Sequence, residues 1–86
     1  MKYYGFIYKY DWRGNYTPII YKSKQSFDTP EEAFEHVKQR MIENRQWTIT
    51  DRIFGAVEKQ NGELLPTFKM RAKMEYNSKE LEIYNI

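Results

Sequence analysis

The few residues that could do chemistry are spread thinly along this chain. The only histidine, His36, falls one helical turn after Glu32 and two turns before Glu43 if this segment is a helix, so the three side chains could share a face. Imidazole and carboxylate groups at that spacing can bind a divalent metal. One histidine and two carboxylates on a solvated helix are weak ligands, however, and the sequence predicts no metal site.

Covalent and acid–base catalysis are not indicated either. The 86 residues contain no cysteine, which excludes thiol nucleophiles and disulfides and is consistent with a reducing cytoplasm. A serine triad would need His36 as its base, and nothing in the sequence suggests one. The carboxylate pairs, Glu31 with Glu32 and Glu75 with Glu80, are explained by the helix dipole and by solvation. We therefore predict a non-catalytic protein without a cofactor.

Aromatic residues are far more prominent than catalytic ones. They make up 17% of the chain, and six lie in the opening segment KYYGFIYKYDW. Side chains alternate between the two faces of a strand, so Tyr4, Phe6 and Tyr8 share one face while Tyr3 and Ile7 share the other. We predict that Phe6 and Tyr8 point inward, because a row of aromatic residues needs more burial than Tyr3 and Ile7 do.

Turn and strand signals predict a β-hairpin at the start of the chain. Residues 3–12 and 16–27 are rich in Tyr, Ile and Phe, and Gly14-Asn15 between them favours a tight turn. Pro18 indicates that the second strand lies at a sheet edge, because proline has no amide hydrogen to donate. The turn would pair Tyr8 with Tyr21, Tyr10 with Ile19 and Ile7 with Lys22.

The segment DTPEEAFEHVKQRMIEN predicts a helix from about Pro30 to about Asn44. Thr29 can cap its first turn, and Glu32 completes a capping box. A single apolar stripe runs along the helix, formed by Ala33, Phe34, Val37 and Met41. The helix should therefore pack by one face.

The rest of the chain predicts a three-stranded meander from Trp47 onward, with turns at Asn61-Gly62 and Asn77-Ser78. The first turn would place Val57 opposite Pro66, Gly55 opposite Phe68 and Ile53 opposite Met70 inside, with Phe54 opposite Lys69 and Arg52 opposite Arg71 outside. The second would place Met74 opposite Leu81 and Ala72 opposite Ile83 inside, with Lys73 opposite Glu82 and Arg71 opposite Tyr84 outside. Asp51 breaks the alternation, so a bulge is predicted near it.

Together these elements predict an α+β fold of order ββαβββ, an antiparallel sheet of two hairpin-like units with one amphipathic helix packed on one face. We expect residues 1–86 to form a single globular domain, since the chain is too short for two cores. No window approaches the roughly 20 apolar residues of a membrane helix, so we expect a cytoplasmic protein. Five strands span about 24 Å, whereas one helix covers about 10 Å, so part of the sheet must stay uncovered.

The uncovered outer face of this sheet is the predicted functional surface, because basic and apolar residues are interleaved there. Its central residues, on the meander, are Arg52, Phe54, Lys69, Arg71, Lys73 and Tyr84. On the first hairpin the same face would hold Tyr3, Ile7, Lys9, Lys22 and Lys24. Arginine and tyrosine are common anchors of protein interfaces. We interpret the chain as a small binding protein that contacts another protein, as a phage-like or mobile-element inhibitor or adaptor does. The abundance of Tyr, Lys, Asn and Ile, typical of AT-rich coding, is associated with such elements.

Two other partners stay open. Aromatic rings with Lys and Arg could bind single-stranded nucleic acid or a nucleotide, although the formal net charge is only +2 and Glu75, Glu80 and Glu82 share the face. An uncovered sheet edge or face could also pair with a second copy of the chain.

Overall fold

The computed structural model describes residues 1–9, 19–50, 53–74 and 81–85, with the side chains of 49, 50 and 84 outside that description. Its elements are β1 (Tyr3–Lys9), β2 (Ile19–Lys22), α1 (Pro30–Glu43), α2 (Trp47–Thr50), β3 (Ile53–Lys59), β4 (Leu64–Met74) and β5 (Leu81–Asn85). The strands form one five-stranded antiparallel sheet in the order β2-β1-β3-β4-β5. The predicted α+β fold of order ββαβββ is confirmed, with α1 packed on one face of the sheet.

The predicted helix is also confirmed. The backbone N–H of Glu32 donates to Thr29 Oγ1 at 3.2 Å, and the Thr29 hydroxyl donates to Glu32 Oε1 at 3.1 Å. Along the predicted stripe, Ala33, Val37 and Met41 are buried and Phe34 is half-buried. The cap begins the helix and the stripe attaches it to the sheet.

Trp47–Thr50 form one helical turn, so the prediction of a strand from Trp47 is wrong. The Trp47 N–H donates to the Asn44 carbonyl at 3.1 Å, which continues the chain in a turn directly after α1. Trp47 packs half-buried against the core from this turn, and the strand begins only at Ile53. The bulge predicted near Asp51 lies outside the described residues.

The contacts of Val37 show which face of the sheet α1 covers, and we call this the inner face. A Cβ atom at Gly5 would lie 2.3 Å from Val37 Cγ2, and one at Gly55 would lie 2.5 Å from Val37 Cγ1. Ile7, which shares the parity of Gly5, is fully buried in the same core. The prediction that Phe6 and Tyr8 point inward is therefore wrong, because the helix sits on the glycine side of β1.

The pairing of β1 with β2 explains the same reversal. Ile7 pairs with Tyr21 and Phe6 with Lys22, one residue away from the predicted register, and a bulge then sets Ile19 opposite Tyr8. Tyr21 keeps its predicted inner face, and because the register is shifted by one residue, Ile7 rather than Tyr8 lies opposite it on that face. The predicted edge position of β2 is confirmed, whereas Pro18, Tyr10 and the turn lie outside the described residues.

The pairing of β3 with β4 differs from the prediction by two residues, so the predicted faces are kept. Gly55 pairs with Met70, Ile53 with Ala72 and Phe54 with Arg71. The loop holds three residues, closed by a hydrogen bond of 2.8 Å from Lys59 N–H to the Glu63 carbonyl, with Gly62 at φ +87°. This loop shifts the register by one residue in the opposite direction, and a bulge of three extra residues in β4, between its pairs at Leu64 and Lys69, produces the net difference of two.

The pairing of β4 with β5 agrees with the prediction throughout. Met74 pairs with Leu81, Ala72 with Ile83, Lys73 with Glu82 and Arg71 with Tyr84. The turn predicted at Asn77-Ser78 lies outside the described residues. In the part of the chain that is described, neither helix is long and apolar enough to cross a membrane.

Candidate binding surface

The outer face of the sheet, opposite α1, carries a row of aromatic rings. Phe6 and Tyr8 have ring centroids 5.7 Å apart, and Tyr8 stacks on Phe54 of the neighbouring strand at 5.5 Å with 20° between the planes. Tyr8 and Phe54 are register partners, so the antiparallel pairing of β1 with β3 holds the two rings together. Phe6 and Tyr8 of the opening segment thus form, with Phe54, a row of three rings on the side away from the helix.

A cleft of about 270 Å³ opens beside this row, and we call it the outer cleft. It is lined by Phe6, Tyr8, Ile19, Ala56, Leu64 and Lys69. Phe6 and Ala56 are only 8% and 1% exposed, whereas Ile19 and Leu64 are 54% and 47% exposed. The outer cleft therefore has a buried apolar base and two exposed aliphatic side chains.

The bulges in β2 and β4 place those two aliphatic side chains. The irregularity in the β1–β2 pairing brings Ile19 opposite Tyr8. The bulge in β4 changes the strand's parity, so Leu64 pairs with Glu58 on the outer face although Met70 faces the helix. Bulges are known to redirect side chains in this way. A regular sheet would not bring Ile19 and Leu64 to the same cleft.

Arg71 extends the platform on the side of β4. Its guanidinium carbon lies 5.9 Å from the centre of the Phe54 ring, and the two residues are register partners. Arg71 Nε is buried and has no hydrogen-bond partner within the described structure. An unsatisfied buried donor costs free energy in the folded protein.

The charges on the outer face are unevenly distributed. Lys22 forms an ion pair of 2.6 Å with Glu58, and its ammonium also lies 5.7 Å from the Tyr4 ring, which neutralises that end. Lys69, Arg71 and Lys73 alternate along β4 with residues that face the helix. Burial raises the pKa of Tyr8, which keeps its hydroxyl protonated and able to donate. Lys69 and Arg71 thus make part of β4 basic, whereas Lys73 lies in register with Glu82 of β5.

Four of the predicted surface residues, Phe54, Lys69, Arg71 and Lys73, lie on the outer face. Tyr84 is in register with Arg71 on β5, but its side chain is outside the description, as is all of Arg52. Sequence reasoning missed Phe6, Tyr8, Ile19 and Leu64. Gly5 could have revealed the first two, because a glycine of the same parity as Ile7 signals close approach of another element.

His36 makes contacts unlike those of a metal ligand. Its Nε2 lies 2.6 Å from the Tyr21 hydroxyl, and the Phe27 ring packs on it at 5.0 Å. Glu32, one turn earlier, bonds Thr29 in the capping box. No group of three or more His, Asp or Glu residues suited to a metal occurs among the residues that the structure describes.

Comparisons with protein-family models, with curated proteins and with solved structures find no match to this chain. No relative therefore suggests a reaction, ligand or partner. The function has to be argued from the outer face itself.

Proposed function

We propose that this chain is a small non-catalytic binding protein whose outer cleft and adjacent cationic strand β4 contact another protein. The observation that carries the proposal is the outer cleft, where Ile19 and Leu64 are exposed around an apolar base. Single exposed aliphatic residues are common on proteins. Two of them around one apolar concavity are typical of an interaction site.

The charge and size of the outer cleft specify the partner's chemistry. A volume of about 270 Å³ suits an apolar side chain or two from the partner, rather than a drug-sized molecule. Lys69 lines the cleft, and the positively charged guanidinium of Arg71 lies beyond Phe54. The partner segment should therefore present an aromatic or aliphatic anchor with aspartate or glutamate beside it.

Binding of this kind covers or bridges a partner's surface without changing it chemically. The role is that of an inhibitor or adaptor in the cytoplasm, as expected for a small phage or mobile-element protein. The cysteine-free sequence and its AT-type composition support that setting.

Selection from a random displayed peptide library tests the proposal. We expect peptides selected on the wild-type protein to combine a large apolar residue with Asp or Glu. The variant Leu64→Lys should weaken their binding about tenfold, because a charge replaces an exposed apolar wall of the outer cleft. Ile42→Lys is a matched control, since Ile42 on α1 is 44% exposed against 47% for Leu64. Equal binding by all three proteins would show that the outer cleft is not the site.

The stacked pair of Tyr8 and Phe54, with Arg71 beside it, favours single-stranded nucleic acid as the second candidate. The two candidates predict opposite effects of the same variant. Leu64→Lys adds a positive charge, so it should leave the affinity for a fluorescent oligothymidine unchanged or raise it. Affinity for the oligonucleotide should also fall steeply with salt, whereas peptide binding in an apolar cleft should depend on salt only weakly.

A further inference from the structure

A second cleft lies between β2 and α1, on the helix side of the sheet edge, and has a volume of about 560 Å³. We call it the basic cleft. Its polar lining consists of Tyr21, Lys22, Lys24, Gln25, His36 and Arg40, with Ile20 as the apolar member. None of these lining residues is acidic. The volume lies in the range of small-molecule sites, and the basic cleft shares no lining residue with the outer cleft.

The cations of the basic cleft differ in how far they are already neutralised. Lys22 forms an ion pair of 2.6 Å with Glu58. Lys24 is exposed and forms no ion pair within the described part of the chain. Arg40 pairs with Glu43 at 3.1 Å, three residues along the exposed side of α1, and such pairs are weak. Lys24 and Arg40 are therefore the cations available to a ligand.

Arg40 is held in position by an aromatic ring. Its guanidinium carbon lies 5.8 Å from the centre of the Tyr21 ring, and one of its nitrogens bonds Glu43. A guanidinium carries five N–H groups in a rigid fork that matches the oxygens of a phosphate. Among the residues that the structure describes, the bond to Glu43 leaves most of those donors unused.

His36 and Tyr21 provide a fixed polar pair in the same lining. Their 2.6 Å contact joins α1 to β2. The ring of Phe27, in the segment between β2 and α1, packs on the imidazole. Burial lowers the pKa of His36, Arg40 lowers it further, and Glu43 opposes the effect. An anion bound near these groups would counteract the first two influences, so the imidazole reports on the occupancy of the basic cleft.

We propose that the basic cleft binds a small phosphate-bearing molecule, with Lys24 and Arg40 holding the phosphate and the His36–Tyr21 pair offering hydrogen bonds beside it. The absence of acidic residues from the lining, the unused Arg40 donors and a volume larger than one inorganic ion all favour this chemistry. The site is independent of the outer cleft, so either assignment can fail without the other.

The test follows the ring resonances of His36 by NMR, which are unambiguous because the chain has one histidine. The probes are inorganic phosphate, adenosine monophosphate and, as the uncharged control, adenosine. We expect saturable shifts and a raised pKa of His36 with both phosphate-bearing probes. Tighter binding of adenosine monophosphate supports an organic ligand, whereas equal binding supports recognition of the phosphate alone. Adenosine binding as tightly as its monophosphate would overturn the proposal.

Variants then locate the binding. Lys24→Ala and Arg40→Gln should each weaken it about tenfold, since each removes a charge-assisted contact. Glu43→Gln should strengthen it, because Arg40 is released from its carboxylate partner, and this gain cannot arise from unfolding. Lys38→Ala, an exposed lysine of α1 outside the lining, is the control. Unsaturable shifts, or the same affinity in Lys24→Ala, Arg40→Gln and Lys38→Ala, would show that phosphate does not bind here.

Discussion

Val37 contacts two strands at once, because its methyl groups lie over Gly5 of β1 and Gly55 of β3. The close approach leaves no room for a side chain on either strand at that point. A glycine in a strand interior weakens the strand, because it loses more backbone conformational entropy on folding than other residues do. Here the two glycines allow α1 to lie directly against the sheet. The larger residues of β1, Phe6 and Tyr8, are consequently directed to the outer face.

Replacement of Gly5 by Ala should destabilise the protein by about 1 to 3 kcal/mol, the usual cost of overpacking a core. The new Cβ would lie 2.3 Å from Val37 Cγ2 and 3.0 Å from the backbone oxygen of Ala33, which cannot move without the helix. Urea unfolding measures the change as a lower midpoint. The double variant Gly5→Ala with Val37→Ala should lose less stability than the two single variants together. Simple additivity would mean that Val37 and Gly5 are not in contact.

A substitution at Arg71 should change the affinity for a partner without lowering the stability of the fold. Its guanidinium carbon lies 5.9 Å from the centre of the Phe54 ring, while its buried Nε lacks a partner within the described structure. Arg71→Met keeps the stem and removes the unsatisfied donor. We expect the free energy of unfolding to stay within about 0.5 kcal/mol of wild type or to rise, while the affinity for selected acidic peptides falls. A loss of stability well beyond that range would show that the guanidinium supports the fold itself.

At the scale of elements, the start of α1 depends on one hydroxyl. Thr29→Ala removes the acceptor for the Glu32 N–H and should cost about 1 kcal/mol. Thr29→Ser retains the hydroxyl and should stay close to wild type. Thermal unfolding followed by circular dichroism compares the three proteins. If serine and alanine lowered the melting temperature equally, the methyl group rather than the cap would be responsible.

The same element shows what the sequence could predict. The capping box, the apolar stripe and the clean alternation from Phe68 to Met74 are local signals, and α1 and the β4–β5 pairing follow from them directly. The outer cleft depends instead on bulges in β2 and β4 and on a three-residue loop at Gly62. Bulges are decided by contacts between strands, so Phe54 and Lys69 could be placed from sequence while Ile19 and Leu64 could not.

At the scale of the whole molecule, strand β2 contributes residues to both candidate sites. Ile19 lines the outer cleft, whereas Ile20 and Tyr21 line the basic cleft on the other side of the sheet edge. Ile19 and Tyr21 would share a face in a regular strand, and the extra residue of the bulge in β2 places them on opposite faces. Variants at Leu64 and Lys24 can therefore test the two clefts independently in the same folded protein.

The stability of the whole molecule should also depend on pH through His36. Burial and the nearby Arg40 lower its pKa in the folded state below the ordinary value of 6.5. The unfolded chain then binds more protons than the folded chain, so the free energy of unfolding should fall as pH drops through about 6.5, until the folded imidazole is protonated as well. Above about pH 7.5 the imidazole is neutral in both states and its contribution is fully present.

His36→Gln provides the comparison, because glutamine retains a polar group without titrating. As pH drops from about 7.5 through about 6.5, the wild-type protein should lose stability more steeply than the variant in urea titrations. Asp28, whose pKa is lowered by its hydrogen bond and ion pair with Lys2, titrates below 3.8 and affects only more acidic solutions. Equal slopes for both proteins would mean that His36 is as solvated in the folded state as in the unfolded one, which contradicts its packing against Tyr21 and Phe27.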